Sequence, residues 1–274
     1  MLRIADTATG RLVEIPTGNR HLLRICVHLP VIDTGIGTAH LRAPLVGDVL
    51  ARTAELHGLQ ALTVLTTPKL PPGQAHALDR VMAALGIHPP ATVEAHEVTG
   101  SPGAPADVHL FAHGSETDAV EGVRIVVGSV SRALPDETGL DGSAALEDRD
   151  EEGAEEGADP LALRMLLLGQ SYSSPVTVTR AGLAEARRAL RHWRQQVADW
   201  AQEPSRPIPA DLLRQAHAAL ADDLGVPAVL DMLVSLERDV DVPAGAKFET
   251  FAHLDRVLGL DLAREVGHQH RAMP

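Results

Sequence analysis

Glycines and a histidine placed at the end of an apolar run are the first residues with chemistry to offer. Gly35, Gly37, Thr38 and His40, with Arg42 two residues further on, follow directly after the segment Leu22 to Leu29. A strand that feeds a Gly-containing turn and then a helix presents unpaired N–H groups and the positive end of the helix dipole, which is how α/β folds hold phosphate. The helix is predicted to run from this turn through Leu45, Val49 and Leu50 toward His57. The same residues also read as an ordinary strand-turn-helix unit in which the glycines only make the turn, and spacing alone leaves both readings open.

The elements that must position this turn are legible on either side of it. Residues 1–20 read as a short hairpin, with a turn at Thr9-Gly10 and a second strand from Leu12 to Ile15. Leu59 to Leu65 is predicted to be a second buried strand, so the order strand-helix-strand implies a parallel crossover. Gln74 to Leu85 carries apolar residues at helical spacing and Gly86 closes it. Pro89-Pro90 and the Gly/Pro/Ser run from Gly100 to Pro105 read as loops, followed by short strands at Val108 to Phe111 and Val123 to Val127. The predicted fold class is α/β: a Rossmann-like parallel-sheet domain over 1–134, then a C-terminal antiparallel helical bundle over 160–274.

Between them, residues 135–159 alternate acidic residues with Gly and Ala. Such a stretch cannot offset its ordering entropy by burial, and a flexible acidic linker is predicted. From Pro160 the pattern is helical. Thr179 is a plausible N-cap for a long helix in which Leu183, Ala186, Leu190, Trp193, Val197 and Trp200 form a buried stripe. Pro209, Gly225 and Pro227 mark the starts of further helices.

Composition excludes several classes of partner. The net charge is −13 and only two lysines occur, Lys69 and Lys247, which disfavours nucleic-acid backbones that need clustered cations. Aromatics make up only 2%, so the core must be aliphatic. The single cysteine, Cys26, rules out an intrachain disulfide and fits a reducing compartment. No apolar run reaches the length of a membrane span and no signal-peptide plan opens the chain, so a cytoplasmic protein without a membrane partner is expected.

Segments spread along the chain resemble the cysteine-activating class I synthetases, namely cysteinyl-tRNA synthetase and the mycothiol-pathway cysteine ligase. Leu2 to Gly10 resembles their opening. Thr34 to Arg42 with Leu45 to Leu50 resembles the HIGH motif and its helix. Asp159 to Leu168, Leu183 to Trp193, Leu220 to Pro227 and Leu254 to Leu260 resemble the helical domain, closest to the mycothiol ligase. The resemblance implies ATP or an adenylate-like nucleotide as cofactor. It implies a pocket made by Gly35, Gly37, Thr38, His40 and Arg42 together with Ser129, Ser131 and Arg132, which align with the mobile KMSKS loop.

The departures from the family pattern bear on catalysis. The first HIGH histidine is Gly37 here, while the second survives as His40. The first KMSKS lysine is Ser129 and the second is Arg132, so His40 and Arg132 are the catalytic residues if adenylation persists. The family's zinc is expected to be lost: its first cysteine ligand aligns near Val27, with Cys26 one place off. His113 holds a histidine position, but Thr117 stands where a glutamate would. A reshaped metal site from Cys26, His113 and Glu116 is the alternative, against His113 as a turn residue and Cys26 as a small core residue. The connective segment between Val98 and Val108 is short and no anticodon-reading domain follows, which argues against tRNA as a partner. The expectation is a non-catalytic binding or regulatory paralogue with a nucleotide or aminoacyl-adenylate-like ligand, and the active enzyme as a candidate protein partner. The alternative is a divergent ATP-dependent ligase activating another carboxylate.

Overall fold

The computed structural model describes residues 1–15, 21–30, 32, 36–96, 106–115, 120–133 and 159–267. The acidic linker lies outside the described residues except for Asp159, as do Gly35 and Glu116. In chain order the elements are β1 (Arg3–Asp6), β2 (Arg11–Glu14), β3 (Leu22–His28), α1 (Thr38–Leu56), β4 (Gln60–Pro68), α2 (Pro72–Ala84), β5 (Thr92–His96), β6 (Val108–Ala112), β7 (Val123–Val127) and β8 (Val130–Arg132). These are followed by α3 (Leu161–Leu168), β9 (Val176–Val178), α4 (Arg180–Trp200), α5 (Ala210–Ala221), α6 (Val226–Arg238) and α7 (Ala244–Leu258).

Five strands form one sheet in the order β5-β4-β3-β6-β7, and every pairing in it is parallel. The predicted β3-α1-β4 crossover is there, and β1 and β2 make the predicted lead-in hairpin. Burial explains why β3 and β6 are central: Leu23, Ile25, Val108 and Leu110 have no exposed surface. β4 departs from the expected buried strand. Its second half is buried, but Leu62 in its first half is 37% exposed. β5 is an edge strand that the proline-rich composition hid. Its pairing to β4 supplies the backbone bonds while Val93 stays 55% exposed, so no apolar run announces it.

α1 lies close against β3 because Gly47 has no side chain. A Cβ there would stand 2.7 Å from Val27 Cγ2. Pro44 sits inside the same helix and has no N–H to give the carbonyl of His40, four residues back.

The helical half packs through aliphatic side chains and both tryptophans. Trp193 and Trp200 meet Phe251 edge-on at 5.4 and 5.1 Å between ring centroids, and Trp193 Nε1 donates to Glu237 at 3.0 Å. Thr179 caps α4 as predicted, its hydroxyl accepting from the Gly182 N–H at 2.9 Å. Several contacts join this half to the sheet and α1. β8 pairs in parallel with β9, a strand pair the apolar pattern did not announce. At the centre of the joint Arg164 of α3, with no exposed surface, donates to Asp48 of α1 at 2.7 Å. It also donates to the carbonyls of Leu85, Gly86 and Leu258. Gly259, at φ +61, makes room for it: a Cβ there would lie 2.8 Å from the guanidinium.

Candidate functional site

In a parallel sheet of this order the connections reverse direction between β3 and β6, and ligands enter the crevice outside the carboxyl ends of those two strands. α1 begins at that edge. Gly37 is its N-cap, extended at φ −102 and ψ 174, and the first turn contains no acidic residue to neutralise the helix dipole. His40 folds back over the turn, and its Nδ1 accepts from the Gly37 N–H at 3.0 Å. A ring nitrogen that accepts carries no proton, so the proton is on Nε2. Gly37, Thr38 and His40 thus lie together at a half-exposed helix start, with one histidine donor set for an anion.

Arg42 does not belong to that cradle. It is 2% exposed, and its Nη1 donates to the carbonyls of Gly128 at 2.9 Å, Ser129 at 3.3 Å and Ser174 at 2.6 Å, while Nη2 donates to Ser171 at 2.8 Å. Burial lowers its pKa. Its donors are committed to these backbone carbonyls, so it fixes the Gly128–Ser129 segment and the α3-β9 loop to α1. Ser129 enters through its carbonyl. Ser131 bonds Thr177 at 3.0 Å through the two hydroxyls, and Ser131 and Arg132 are exposed on β8.

Two of the zinc-ligand positions implied by the family fall among the described residues, and they lie apart. Val27 turns onto the face covered by α1, and His113 is exposed in the turn after β6, next to Gly114 at φ +81. Cys26 instead points to the opposite face with two histidines that the sequence reading passed over. The ligand atoms of Cys26, His28 and His109 lie within 4.8 Å of one another. The signal for His28 was its period-two spacing from Cys26; His109 comes from the register, which sets it opposite Cys26 on β6. His109 Nε2 donates to the Glu121 carbonyl at 3.1 Å, which leaves its Nδ1 to accept from His28 Nε2 at 3.0 Å. Burial pushes the His109 pKa down, so the ring is held neutral. Burial raises the Cys26 thiol pKa against the opposing effect of its contact with the Thr66 hydroxyl at 3.2 Å. A separate cavity of about 190 Å³ lies on the helix-covered face between Val27, Pro44, Ala51 and Met82, away from both groups.

The sheet order, the helix at the switch point and the appended helices define a fold of the class I aminoacyl-tRNA synthetase type. Thermus thermophilus arginyl-tRNA synthetase superposes with a TM-score of 0.51 at 11% identity, covering 88% of this chain and 81% of that one. The arginyl-tRNA synthetase of Plasmodium falciparum gives 0.52 at 8% identity, over 86% of this chain and 75% of that one. Within that class the sequence similarity falls on the cysteine-activating enzymes. Over 75 residues, 27% of the chain, it is 43% identical to the L-cysteine:1D-myo-inositol 2-amino-2-deoxy-alpha-D-glucopyranoside ligase of Streptomyces griseus, spanning 17% of that protein. Over 100 residues it is 39% identical to a cysteine–tRNA ligase of Cereibacter sphaeroides, spanning 19% of that protein. Each match therefore spans less than a fifth of the curated relative. No protein-family model matches the chain.

Proposed function

We propose that the protein is a class I synthetase-like binding module that takes a nucleotide or aminoacyl-adenylate-like ligand at the start of α1 and has little or no adenylation activity. It acts as a binding or regulatory paralogue of the cysteine-activating enzymes. The observation that carries this reading is the division of labour on α1. Its first turn offers Gly37, Thr38 and the Nε2–H of His40, with no carboxylate, while the one cation nearby in sequence, Arg42, is enclosed by four carbonyls. Binding needs the first set; pulling pyrophosphate off ATP needs cationic donors that strengthen in the transition state. This reading takes Gly37 and Ser129 to stand where the family has a histidine and a lysine. Each lost donor costs about 3–4 kcal/mol, so two cut adenylation by roughly four powers of ten or more.

The test pairs two measurements on the full chain. ATP–pyrophosphate exchange across a panel of amino acids is expected to be absent. ATP or a non-hydrolysable acyl-sulfamoyl adenosine is expected to raise the melting temperature, and His40→Ala is expected to reduce that shift. Robust exchange with any amino acid, abolished by His40→Ala, would replace this reading with that of a divergent ATP-dependent ligase. Neither exchange nor a shift with either nucleotide would overturn both.

A further inference from the structure

On the sheet face turned away from α1, three side chains of metal-ligating chemistry converge, apart from both Val27 and His113. Cys26 and His28 project from the same side of β3, and His109 projects beside them from β6, the two strands that flank the switch point. We propose that Cys26, His28 and His109 bind one divalent transition-metal ion of the zinc class through one sulfur and two nitrogens.

The geometry is close to what such an ion requires. Two imidazole nitrogens on a tetrahedral zinc at about 2.0–2.1 Å stand roughly 3.3 Å apart, and a thiolate at about 2.3 Å stands roughly 3.5 Å from each. His28 Nε2 and His109 Nδ1 are 3.0 Å apart, and Cys26 Sγ is within 4.8 Å of both. A few tenths of an ångström between the rings and about one ångström of approach by the sulfur complete the set.

The surroundings are those of oriented ligands. His109 is held by its Nε2–H on the Glu121 carbonyl, the outer contact that aims a ligating histidine. Phe111 stacks on His28 at 4.3 Å between centroids and 7° between planes, fixing that ring. The Thr66 hydroxyl reaches the Cys26 sulfur and can donate to a thiolate. Glu94 follows Thr66 in the row that begins at His28, near enough for its charge to act on Cys26, and favours a cation there. One sulfur and two imidazoles suit zinc or cobalt over magnesium or calcium, and three protein ligands leave one position for water or another ligand.

Loading involves no oxidation or reduction. The Cys26 S–H bond breaks, its proton leaves to solvent and a sulfur–metal bond forms. His28 gives up its Nε2 proton to Nδ1 by exchange with water, and His109 keeps its proton on Nε2. The site stands apart from the nucleotide reading, since either can hold without the other.

The experiment uses the full chain, stripped with chelator and titrated with Co²⁺. The expected result is one equivalent bound with a thiolate-to-cobalt charge-transfer band that Zn²⁺ bleaches, and a melting temperature that rises with Zn²⁺ and returns with chelator. Because the chain has a single cysteine, that band reports Cys26 without any variant. Cys26→Ser is expected to abolish it, and His109→Gln to weaken binding by about a hundredfold, while His113→Ala changes neither. Absence of the band on saturating cobalt overturns the proposal, as does a band that survives in Cys26→Ser or a requirement for His113. Should Cys26→Ser fail to fold, the wild-type band and its displacement by Zn²⁺ decide the matter alone.

Discussion

Replacing Arg164 by methionine tests whether the joint between the sheet and the helices is held as described. The substitution keeps the apolar stem and removes every N–H of a side chain with no exposed surface. Lost with it are the 2.7 Å pair to Asp48 and the bonds to the carbonyls of Leu85, Gly86 and Leu258. Removing one member of a buried ion pair costs about 3–5 kcal/mol. Asp48 keeps Arg52 at 2.8 Å and the His88 N–H at 3.0 Å, and the Gly86 carbonyl keeps Arg52 at 2.7 Å, which favours the lower end, while the lost bonds to the Leu85 and Leu258 carbonyls push the other way. A loss of about 3 kcal/mol, at about 2–4 °C per kcal/mol for a chain of this size, lowers the melting temperature by about 6–12 °C. Urea denaturation monitored by tryptophan fluorescence gives the free energy directly, both tryptophans being buried in the helical half. The double variant Asp48→Leu/Arg164→Met removes the carboxylate as well and should be less than the sum of the singles. A change below about 1 kcal/mol for Arg164→Met, or strict additivity, would refute the argument that a buried charge pair spans the joint.

Three further outcomes are expected. Arg42→Lys should destabilise the protein with no ligand present, by about 2–4 kcal/mol, because an ammonium cannot serve four carbonyls in the plane of a guanidinium; a phosphate ligand would instead lose nucleotide affinity at unchanged stability. Gly47→Ala should cost about 1–2 kcal/mol in denaturant unfolding despite the better helix propensity, since its Cβ would lie 2.7 Å from Val27. The stacked pair His217 and His253, with nitrogens 3.0 Å apart, gives a pH dependence. Burial lowers both pKa values from the ordinary 6.5, with His217 lowering that of His253 further, so the unfolded chain takes up protons first. Their contribution is complete above about pH 6.5 and is lost as the pH falls toward the folded values; the urea midpoint should drop between about pH 7.5 and 5.5, less so in His217→Gln/His253→Gln.

The β3-α1-β4 unit was legible because each part leaves a local mark: an apolar run, glycines at the turn, a second apolar run. The long α4 was legible for the same reason, its cap and stripe being written at fixed spacing. β5 was missed because an edge strand half in solvent needs no apolar run. Arg42 was assigned to phosphate because an arginine after a Gly-rich turn reads alike in both roles. Its true partners stand 86–132 residues away, and only the fold brings them in. Arg164 and Asp48 look like surface residues of two amphipathic helices until α3 and α1 are set together. The sequence pattern groups Cys26 with His113 and Glu116, whereas the alternation of β3 turns Val27 toward the helix and leaves His28 beside Cys26, with His113 in the turn beyond β6. Gly35 and Glu116 fall outside the described residues and stay as expectations.

The proline inside α1 makes the two ends of that helix unequal in how firmly they are held. From Leu41 onward the body is clamped, by Gly47 against β3 and by Asp48 and Arg52 into the polar joint. The turn ahead of Pro44 lacks the hydrogen bond that would hold the His40 carbonyl to the clamped part. The first turn, with Gly37, Thr38 and His40, is therefore tied to the rest of the helix by one backbone bond fewer than any turn behind it, while the clamped body holds the two halves it rivets together.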